Sequence, residues 1–270
     1  MIANRSPQQP ELGTPIDWSH PLASGLVGAW VFNEGTGGTV HNLAVTGVND
    51  GALSGNPVWT PAQSARGISL VSTSSQAINC GSISPLNSAT RATLFWRGAL
   101  VSAKNVFVGR IARANFRYAA DYASSGSTAF FILDTGAAQA FGGIGSVPVG
   151  EISLCSSFDG TQAANATRLT GYVNGVQRVL NFTGTIPSSM PNAGTDAFWL
   201  GRDVADSLYS DGRIDTVLLW AGRALLADEV ARLHANPWQL FARPTLLPVA
   251  SAIRRFRRTN YARAGSRSVA

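Results

Sequence analysis

Arginine and aromatic side chains are concentrated near the C-terminus of the chain. The residues in this cluster are Arg254, Arg255, Phe256, Arg257, Arg258 and Tyr261. Guanidinium groups next to aromatic rings suit contacts with phosphate, with acidic protein surfaces or with other rings. A run this short is equally typical of a solvated tail. We therefore predict that these residues bind a partner, with simple solvation as the alternative.

The charge balance separates this tail from the rest of the chain. Of 21 basic and 15 acidic residues, seven arginines and no acid follow Gln239, so the first 239 residues carry 14 basic against 15 acidic groups, a net charge of −1. Nucleic acid is recognised through extended basic surfaces, and a near-neutral body does not supply one. The pattern favours other proteins of a larger assembly as partners.

The acidic and histidine residues do not form a recognisable catalytic pattern. Glycoside hydrolysis needs two carboxylates that flank the scissile bond. None of the four glutamates has another acid at the alternate-residue spacing of a strand; they are Glu11, Glu34, Glu151 and Glu229. The three histidines, His20, His41 and His234, have no metal-binding or triad partner nearby in sequence, although triads also assemble over long distances. We predict that the protein is not an enzyme.

One loop holds enough aspartates to raise the question of calcium. Asp203, Asp206 and Asp211 lie close together, and Asp215 follows on the next predicted strand. Oxygen ligands in a loop suit Ca²⁺, but the spacing is not that of an EF-hand. Aspartate also forms turns through its own side chain. We favour turn formation for the first three, keep calcium as the alternative, and expect an internal hydrogen-bonding role for Asp215.

Tryptophan is the residue type best suited to stacking on sugar rings. Most of the strand tryptophans lie among apolar neighbours and are expected in the core: Trp30, Trp96, Trp199 and Trp220. Trp59 lies between Pro57 and Pro61, in a predicted loop. Trp59 is therefore the candidate for binding a glycan.

The composition predicts a β-rich globule. The 270 residues are 45% hydrophobic and 13% charged, with 28 glycines and 13 prolines, which is too apolar for a disordered chain and unlike a helical bundle. The first 13 residues lack the apolar run of a secretory signal, and no stretch is long enough to span a membrane. We expect synthesis in the cytoplasm, no membrane insertion, and buried free thiols at Cys80 and Cys155.

Short apolar runs separated by turn residues predict the strands. From Gly25 onward they cover residues 26–32, 93–100, 152–158, 198–201 and 213–220. Asn174-Gly175 tolerates positive φ at both positions, which predicts a two-residue hairpin turn. One helix is predicted where Leu226, Val230 and Leu233 recur at helical spacing, with Asp228 and Glu229 in its first turn and Asn236-Pro237 at its end.

The order of four segments resembles the laminin-G-like, concanavalin-A-like jelly-roll family. These segments are residues 25–37, 49–53, 172–175 and 212–215, the last leading into the predicted helix. The resemblance implies an all-β fold, a two-sheet antiparallel jelly-roll sandwich with one short C-terminal helix and extended termini. Family members often bind calcium with an Asp-rich turn, which is here Ser72-Thr73-Ser74-Ser75 and lacks those carboxylates.

The flanking segments resemble the ends of laminin-G-like proteins of tailed bacteriophages. They are residues 13–18, before the first strand, and residues 236–241, before the arginines. This resemblance implies a virion component. The chain then divides into an N-terminal arm at 1–24, a jelly roll at 25–239 and a basic tail at 240–270.

Three functions follow from this interpretation. The first is a non-enzymatic structural protein that decorates a phage particle in repeated copies and contacts capsid or tail subunits through its termini. The second is a tail-associated adhesin that binds a host-surface glycan. The third is a cryptic glycan hydrolase. A jelly-roll surface serves either of the first two with little local signature, so the sequence leaves both open.

Overall fold

The computed structural model describes residues 8–61, 66–100, 106–111, 117–123, 128–134, 140–145, 147–190, 192, 194–203 and 208–242. For residues 106–111, 117–123, 128–134, 145, 203 and 208 it describes the backbone. The predicted fold class is confirmed, because the chain forms a sandwich of antiparallel sheets.

The first sheet has eight strands in the order β14-β13-β12-β7-β19-β5-β4, with β1 also paired to β19. Its strands are β1 (Leu26–Trp30), β4 (Val58–Pro61), β5 (Arg66–Leu70), β7 (Arg91–Leu100), β12 (Gly150–Asp159), β13 (Leu169–Val173), β14 (Val176–Arg178) and β19 (Gly212–Ala221). The long strands β7, β12 and β19 form its centre, where nearly every residue is buried.

The second sheet has nine strands in the order β15-β11-β10-β9-β8-β16-β6-β3-β2. Its strands are β2 (Thr39–Val40), β3 (Gly51–Ser54), β6 (Ala77–Asn79), β8 (Val106–Ile111), β9 (Arg117–Ala123), β10 (Thr128–Asp134), β11 (Phe141–Gly145), β15 (Asn181–Thr183) and β16 (Phe198–Leu200). A separate short hairpin joins β17 (Arg202–Asp203) to β18 (Leu208–Tyr209).

Helices are few and short within the described residues. The α-helices are α1 (Asn165–Arg168) and α2 (Ala227–Ala235), and short 3-10 turns cover Pro21–Ala23, Ser72–Ser74 and Ser84–Leu86. None of these helices is both long enough and apolar enough to cross a bilayer.

The hairpin and the helix lie where the sequence predicted them. Val173 pairs with Val176, and the two residues between them, Asn174 and Gly175, have φ of 51° and 75°. In α2, Glu229 accepts a hydrogen bond from the backbone N–H of Leu226, so this acid caps the first turn. The structure differs from the prediction at Leu226. This residue was expected on the buried face of the helix, but it precedes the helix and is exposed.

The core between the two sheets is built from large aromatic side chains. Trp30 of β1 and Phe198 of β16 stack across the sandwich, with ring centroids 5.9 Å apart and an interplanar angle of 16°. Trp96 of β7 lies in the same cluster and is almost fully buried. These contacts between strands far apart in sequence hold the two sheets face to face.

A second apolar cluster covers the outer face of the first sheet. Phe95 alternates with Trp96 along β7, so its ring points away from the inter-sheet core. Residues from both terminal segments and α2 pack on it, including Ile16, Leu22, Val230, Leu233, Trp238, Leu240 and Phe241. We call these residues the terminal cover. The terminal cover is thus a third layer, packed on the outer face of the first sheet.

Backbone hydrogen bonds join the two terminal segments of the cover. Ile16 and Phe241 form an antiparallel bridge. The N–H of Asp17 donates to the carbonyl of Leu240 at 2.8 Å, and the N–H of Ala242 donates to the carbonyl of Pro15 at 3.0 Å. The segment before the first strand and the segment after α2 therefore fold as one element.

The two cysteines are free and buried, as predicted. Cys80 lies in the inter-sheet core, whereas Cys155 lies under the terminal cover. Burial raises the pKa of both thiols. A buried thiol with a raised pKa is inert in nucleophilic chemistry.

Strand β19 changes its partner at a bulge. On one edge it pairs with β7 along its length, and on the other it pairs first with β5, through residues 212–214, and then with β1, through residues 217–220. The pairing with β7 is interrupted between Ile214 and Thr216, so Asp215 is the extra residue. The bulge lets Ile214 and Val217 both face the core although they are three positions apart, an odd spacing that would otherwise put them on opposite faces.

Gly98 provides a test of this bulge. A methyl group at residue 98 would overlap the carbonyl oxygen of Arg213 on the bulged strand. We expect Gly98→Ala to lower the free energy of unfolding by about 1–3 kcal/mol, the usual cost of overpacking. Gly38→Ala is the matched control, because a methyl group there meets no atom within 4 Å. Urea unfolding of both variants measures the difference, and equal midpoints would contradict the role given to Gly98.

Candidate functional site

Two carboxylates that are distant in sequence meet at one arginine. Arg213 Nε donates to Asp215 Oδ1 at 2.6 Å, and Arg213 Nη2 donates to Asp215 Oδ2 at 3.0 Å and also to Glu151 Oε1. Burial raises the pKa of Asp215, whereas the hydrogen bonds from Arg213 act in the opposite direction. The guanidinium fills the space between the carboxylates and Asp215 is 0% exposed. The pair is therefore not arranged to flank a glycosidic bond, and Asp215 has the internal role that the sequence predicted.

The possible calcium ligands are separated by the structure. Asp211 is tied to Ser72, whose backbone N–H and hydroxyl donate to its two carboxylate oxygens at 2.7 and 2.8 Å. Asp203 lies in β17, where the structure describes the backbone, and Asp206 lies outside the described residues. Across the described part of the chain, no group of three acidic, histidine or cysteine residues is placed to hold a metal ion.

The bond between Asp211 and Ser72 was missed at the sequence level. The Ser72–Ser75 turn was interpreted only as a loss of carboxylates, yet Ser72 is the donor that Asp211 needs. The two residues are 139 positions apart, so no local pattern links them. Asp211 thus fastens the loop before β19 to the 3-10 turn Ser72–Ser74.

Trp59 lies in strand β4 and not in the loop that the prolines indicated. Pro57 precedes the strand and Pro61 ends it, which is tolerated because β4 is the edge of its sheet. Trp59 is half-buried against the inter-sheet core, and its indole N–H donates to the carbonyl of Gly37 at 3.0 Å. Its polar atom is thus already used inside the protein.

A cavity of about 330 Å³ lies beside Trp59 at the edge of the sandwich. Glu34 and Arg66 also line it. Glu34 Oε1 accepts a hydrogen bond from the backbone N–H of His41 at 2.7 Å, while Oε2 is buried and meets no donor in the described structure. The cavity brings together one carboxylate, one guanidinium and one indole, but no described residue of its lining supplies the second carboxylate of a glycosidase.

A serine and a histidine come within hydrogen-bond distance under the terminal cover. Ser153 Oγ of β12 lies 2.9 Å from Nδ1 of His234 on α2. Ser153 is buried, and desolvation together with the charge of Arg97 lowers the pKa of His234. A catalytic pair needs an accessible nucleophile and a group that orients the histidine. With its serine buried, this contact is suited to docking α2 on the sheet.

Three other side chains form a cluster on the outer face of the second sheet. Phe198 and Leu200 of β16 are buried in the inter-sheet core, so strand alternation turns Trp199 to the opposite face, where it is half-buried. The guanidinium carbon of Arg202 lies 5.0 Å from the ring centroid of Trp199 and 5.4 Å from that of Tyr209. We call Trp199, Arg202 and Tyr209 the aromatic-arginine cluster.

The β17-β18 hairpin positions this cluster. Arg202 and Tyr209 are directly paired across the hairpin, and the N–H of Ser210 donates to the carbonyl of Gly201 at 2.9 Å to close its base. Gly201 has a φ of 82°, and this conformation lets the chain turn out of β16 directly after Leu200. The hairpin therefore holds the Arg202 side chain over the ring that β16 supplies.

The sequence prediction for the strand tryptophans needs one correction. Trp30, Trp96 and Trp220 are buried in the core as expected, but Trp199 is not. The segment Phe198-Trp199-Leu200 already indicated this, because side chains alternate between the two faces of a strand. If Phe198 and Leu200 face the core, Trp199 has to face outward. The predicted partner-binding residues of the tail lie outside the described residues; they are Arg254, Arg255, Phe256, Arg257, Arg258 and Tyr261.

Comparison with protein families agrees with this architecture. A family model described as the concanavalin A-like lectin/glucanases superfamily, Laminin_G_3, matches residues 72–231. No curated protein matches the sequence.

Several solved structures share the fold at low sequence identity. A Trypanosoma rangeli sialidase in complex with sialic acid gives a TM-score of 0.56 at 13% identity, over 82% of this chain and 34% of that one. The binding domain of botulinum neurotoxin DC in complex with rat synaptotagmin II gives 0.55 at 7% identity, over 78% and 51%. Domain 4 of a Geobacillus stearothermophilus arabinanase in complex with arabinotriose gives 0.50 at 16% identity, over 77% and 98%.

These similarities show the fold and do not extend to whole proteins. The chain spans about a third of the sialidase and half of the neurotoxin domain. The arabinanase domain, by contrast, is matched over nearly its full length. In these solved structures the sandwich is one part of a larger protein.

His234 should make the stability of the terminal cover depend on pH. Its pKa is lowered in the folded state, so the unfolded chain takes up the proton first as the pH falls below about 6.5. We expect the free energy of unfolding to decrease as the pH falls through this window. Urea unfolding between pH 5 and 7.5 measures the slope, which should be smaller in His234→Gln; equal slopes in the two proteins would contradict this assignment.

Proposed function

The chain belongs to the concanavalin A-like lectin/glucanase superfamily, and we propose that it is a non-enzymatic structural protein of a bacteriophage particle. In this proposal the jelly roll decorates the particle in repeated copies. Its two terminal segments anchor it to neighbouring capsid or tail subunits.

The observation that carries this proposal is the convergence of both terminal segments on one face. The bridge between Ile16 and Phe241 brings them together over the first sheet, and the arginine-rich tail follows directly after Ala242. Trp18, in the same N-terminal segment, is 57% exposed. An exposed indole next to the origin of a basic tail suits a contact with another subunit.

The phage setting rests on the resemblance of the flanks. Residues 13–18 and 236–241 are the segments that resemble the ends of phage laminin-G-like proteins, and they are also the segments that bond to each other. Two distant stretches that share a resemblance and form one structural element support a common role. That role, in our proposal, is attachment.

The engagement of the carboxylates supports a non-enzymatic role. Glu151 and Asp215 share Arg213, and Glu229 binds Arg223 at 2.5 Å while it caps α2. Carboxylates that serve as internal partners are not available as a general acid and a nucleophile. The hydrolase hypothesis therefore has the least support of the three.

Removal of residues 243–270 tests the anchoring role. The cut follows Ala242 because Leu240 and Phe241 are buried in the terminal cover. We expect the truncated protein to keep its circular dichroism spectrum and unfolding midpoint but to be lost from purified virions, as measured by quantitative mass spectrometry. Normal incorporation of the truncated protein would refute anchoring by the tail.

A matched pair of variants separates charge from length in this experiment. In the first variant, glutamine replaces four arginines of the tail, so the charge is removed while the length is kept. This variant should have reduced incorporation. The four residues are Arg254, Arg255, Arg257 and Arg258. Glutamine at Arg178, an exposed residue of β14 in the sandwich, should leave incorporation unchanged.

Binding of a host-surface glycan is the second candidate function. The aromatic-arginine cluster lies on the outer face of the second sheet, opposite the terminal cover, so an anchored jelly roll would present it outward. The solved structures of the sialidase and the arabinanase domain contain bound sugars. A half-buried indole on a face that the terminal cover does not reach is a suitable surface for a sugar ring.

Tryptophan variants distinguish the two possible glycan surfaces. We expect Trp199→Ala to abolish binding on a glycan array, because it removes the ring of the cluster. Trp59→Phe should keep the signal, since the Trp59 indole N–H is already bonded to Gly37. Loss of binding only in the Trp59 variant would move the site to the cavity beside β4.

A further inference from the structure

The guanidinium of Arg202 lies over two aromatic rings, and its Nε has no hydrogen-bond acceptor among the described residues. The rings of Trp199 and Tyr209 both lie within 5.4 Å of its guanidinium carbon, which restrains the long side chain through cation–π contacts. Among the described residues, no acceptor takes a hydrogen bond from its buried Nε, and none forms an ion pair with it. Two arginines of the first sheet and the segment after it behave differently, since Arg213 and Arg223 are bonded to carboxylates.

An arginine whose side chain is already restrained by aromatic rings is suited to binding an external anion. The Nε of Arg202 is buried, so an external anion meets the two terminal nitrogens of the guanidinium, Nη1 and Nη2. Because the flanking rings already restrict the side chain, little rotamer freedom remains to be lost on binding. The N–H groups of the fork fit a planar acceptor that lies in the guanidinium plane.

The surroundings of Arg202 select the anion. A carboxylate is planar and accepts two parallel N–H bonds, which matches the guanidinium fork. Trp199 lies beside Arg202 on the same face and offers an apolar ring of the size of a sugar. A ligand that satisfies both residues carries its carboxylate directly on a sugar ring.

We propose that the aromatic-arginine cluster binds an acidic saccharide, with Arg202 on the carboxylate and Trp199 against the sugar ring. This inference rests on the proposed glycan-binding function and names the class of glycan. Tyr209 is a positioning residue, because it holds the guanidinium from the paired strand of the hairpin.

A pair of trisaccharide and disaccharide probes tests the inference by isothermal titration calorimetry. Sialyllactose carries a carboxylate on its terminal sugar, and lactose is the same core without that sugar. We expect the full chain to bind sialyllactose about tenfold or more tightly than lactose, because a charge-assisted bidentate contact contributes on that scale. Arg202→Gln should reduce sialyllactose affinity by about tenfold to hundredfold.

Control variants keep the result interpretable. Arg178→Gln removes an exposed charge from the first sheet and should leave the affinity unchanged. Arg202→Lys keeps the charge but loses the planar fork, and should weaken binding without abolishing it. If Arg202→Gln fails to fold, as judged by thermal unfolding, the Arg202→Lys variant decides, and wild-type affinity in it would overturn the inference.

The remaining outcomes separate this inference from the function on which it rests. Equal binding of lactose and sialyllactose would overturn the role of Arg202 while glycan binding stands. Failure of both probes and of a wider array of acidic and neutral saccharides would overturn both. Displacement of sialyllactose by an equal concentration of inorganic phosphate would show a general anion site and would also overturn the inference.

Discussion

The buried ion pair between Arg213 and Asp215 is the interaction on which the architecture depends. Strand β19 has to join β7 on one edge and both β5 and β1 on the other, and the bulge at Asp215 marks the change from β5 to β1. A lone buried carboxylate there would be strongly destabilising, so Arg213 has to accompany it. Gly67 of β5 leaves room for the carboxylate, since a methyl group there would lie 2.5 Å from its Oδ1.

The two outer faces of the sandwich differ because only the first sheet receives the terminal cover. The apolar residues Phe95, Leu218 and Trp220 point outward from this sheet and require burial. The terminal segments supply that burial, and the indole N–H of Trp220 reaches the carbonyl of Leu22 at 2.7 Å. These segments are thus needed for stability, and in our proposal the tail that attaches the protein to its partners extends from them.

The distribution of polar groups explains why the second sheet is the better place to look for a ligand. Beneath the cover, carboxylates, Ser153 and His234 have partners within the protein. The aromatic-arginine cluster is different, because Arg202 lies over two rings and its Nε has no acceptor in the part of the chain that the structure describes. A binding site needs groups that are ordered before the ligand arrives, and in our proposal this cluster is such a site.

The sequence by itself determined the elements whose signals are local. The Asn174-Gly175 hairpin, helix α2 with its acidic first turn, and the central strands follow from turn chemistry and periodicity within about ten residues. Tertiary structure decided the rest. The edge position of β4 placed Trp59 in a strand, the bonds from Ser72 to Asp211 join residues 139 positions apart, and the β17-β18 hairpin put Arg202 over Trp199. The physical reason is that the pairing of strands distant in sequence decides which face of a sheet is covered. The same pairing decides which side chains meet on that face.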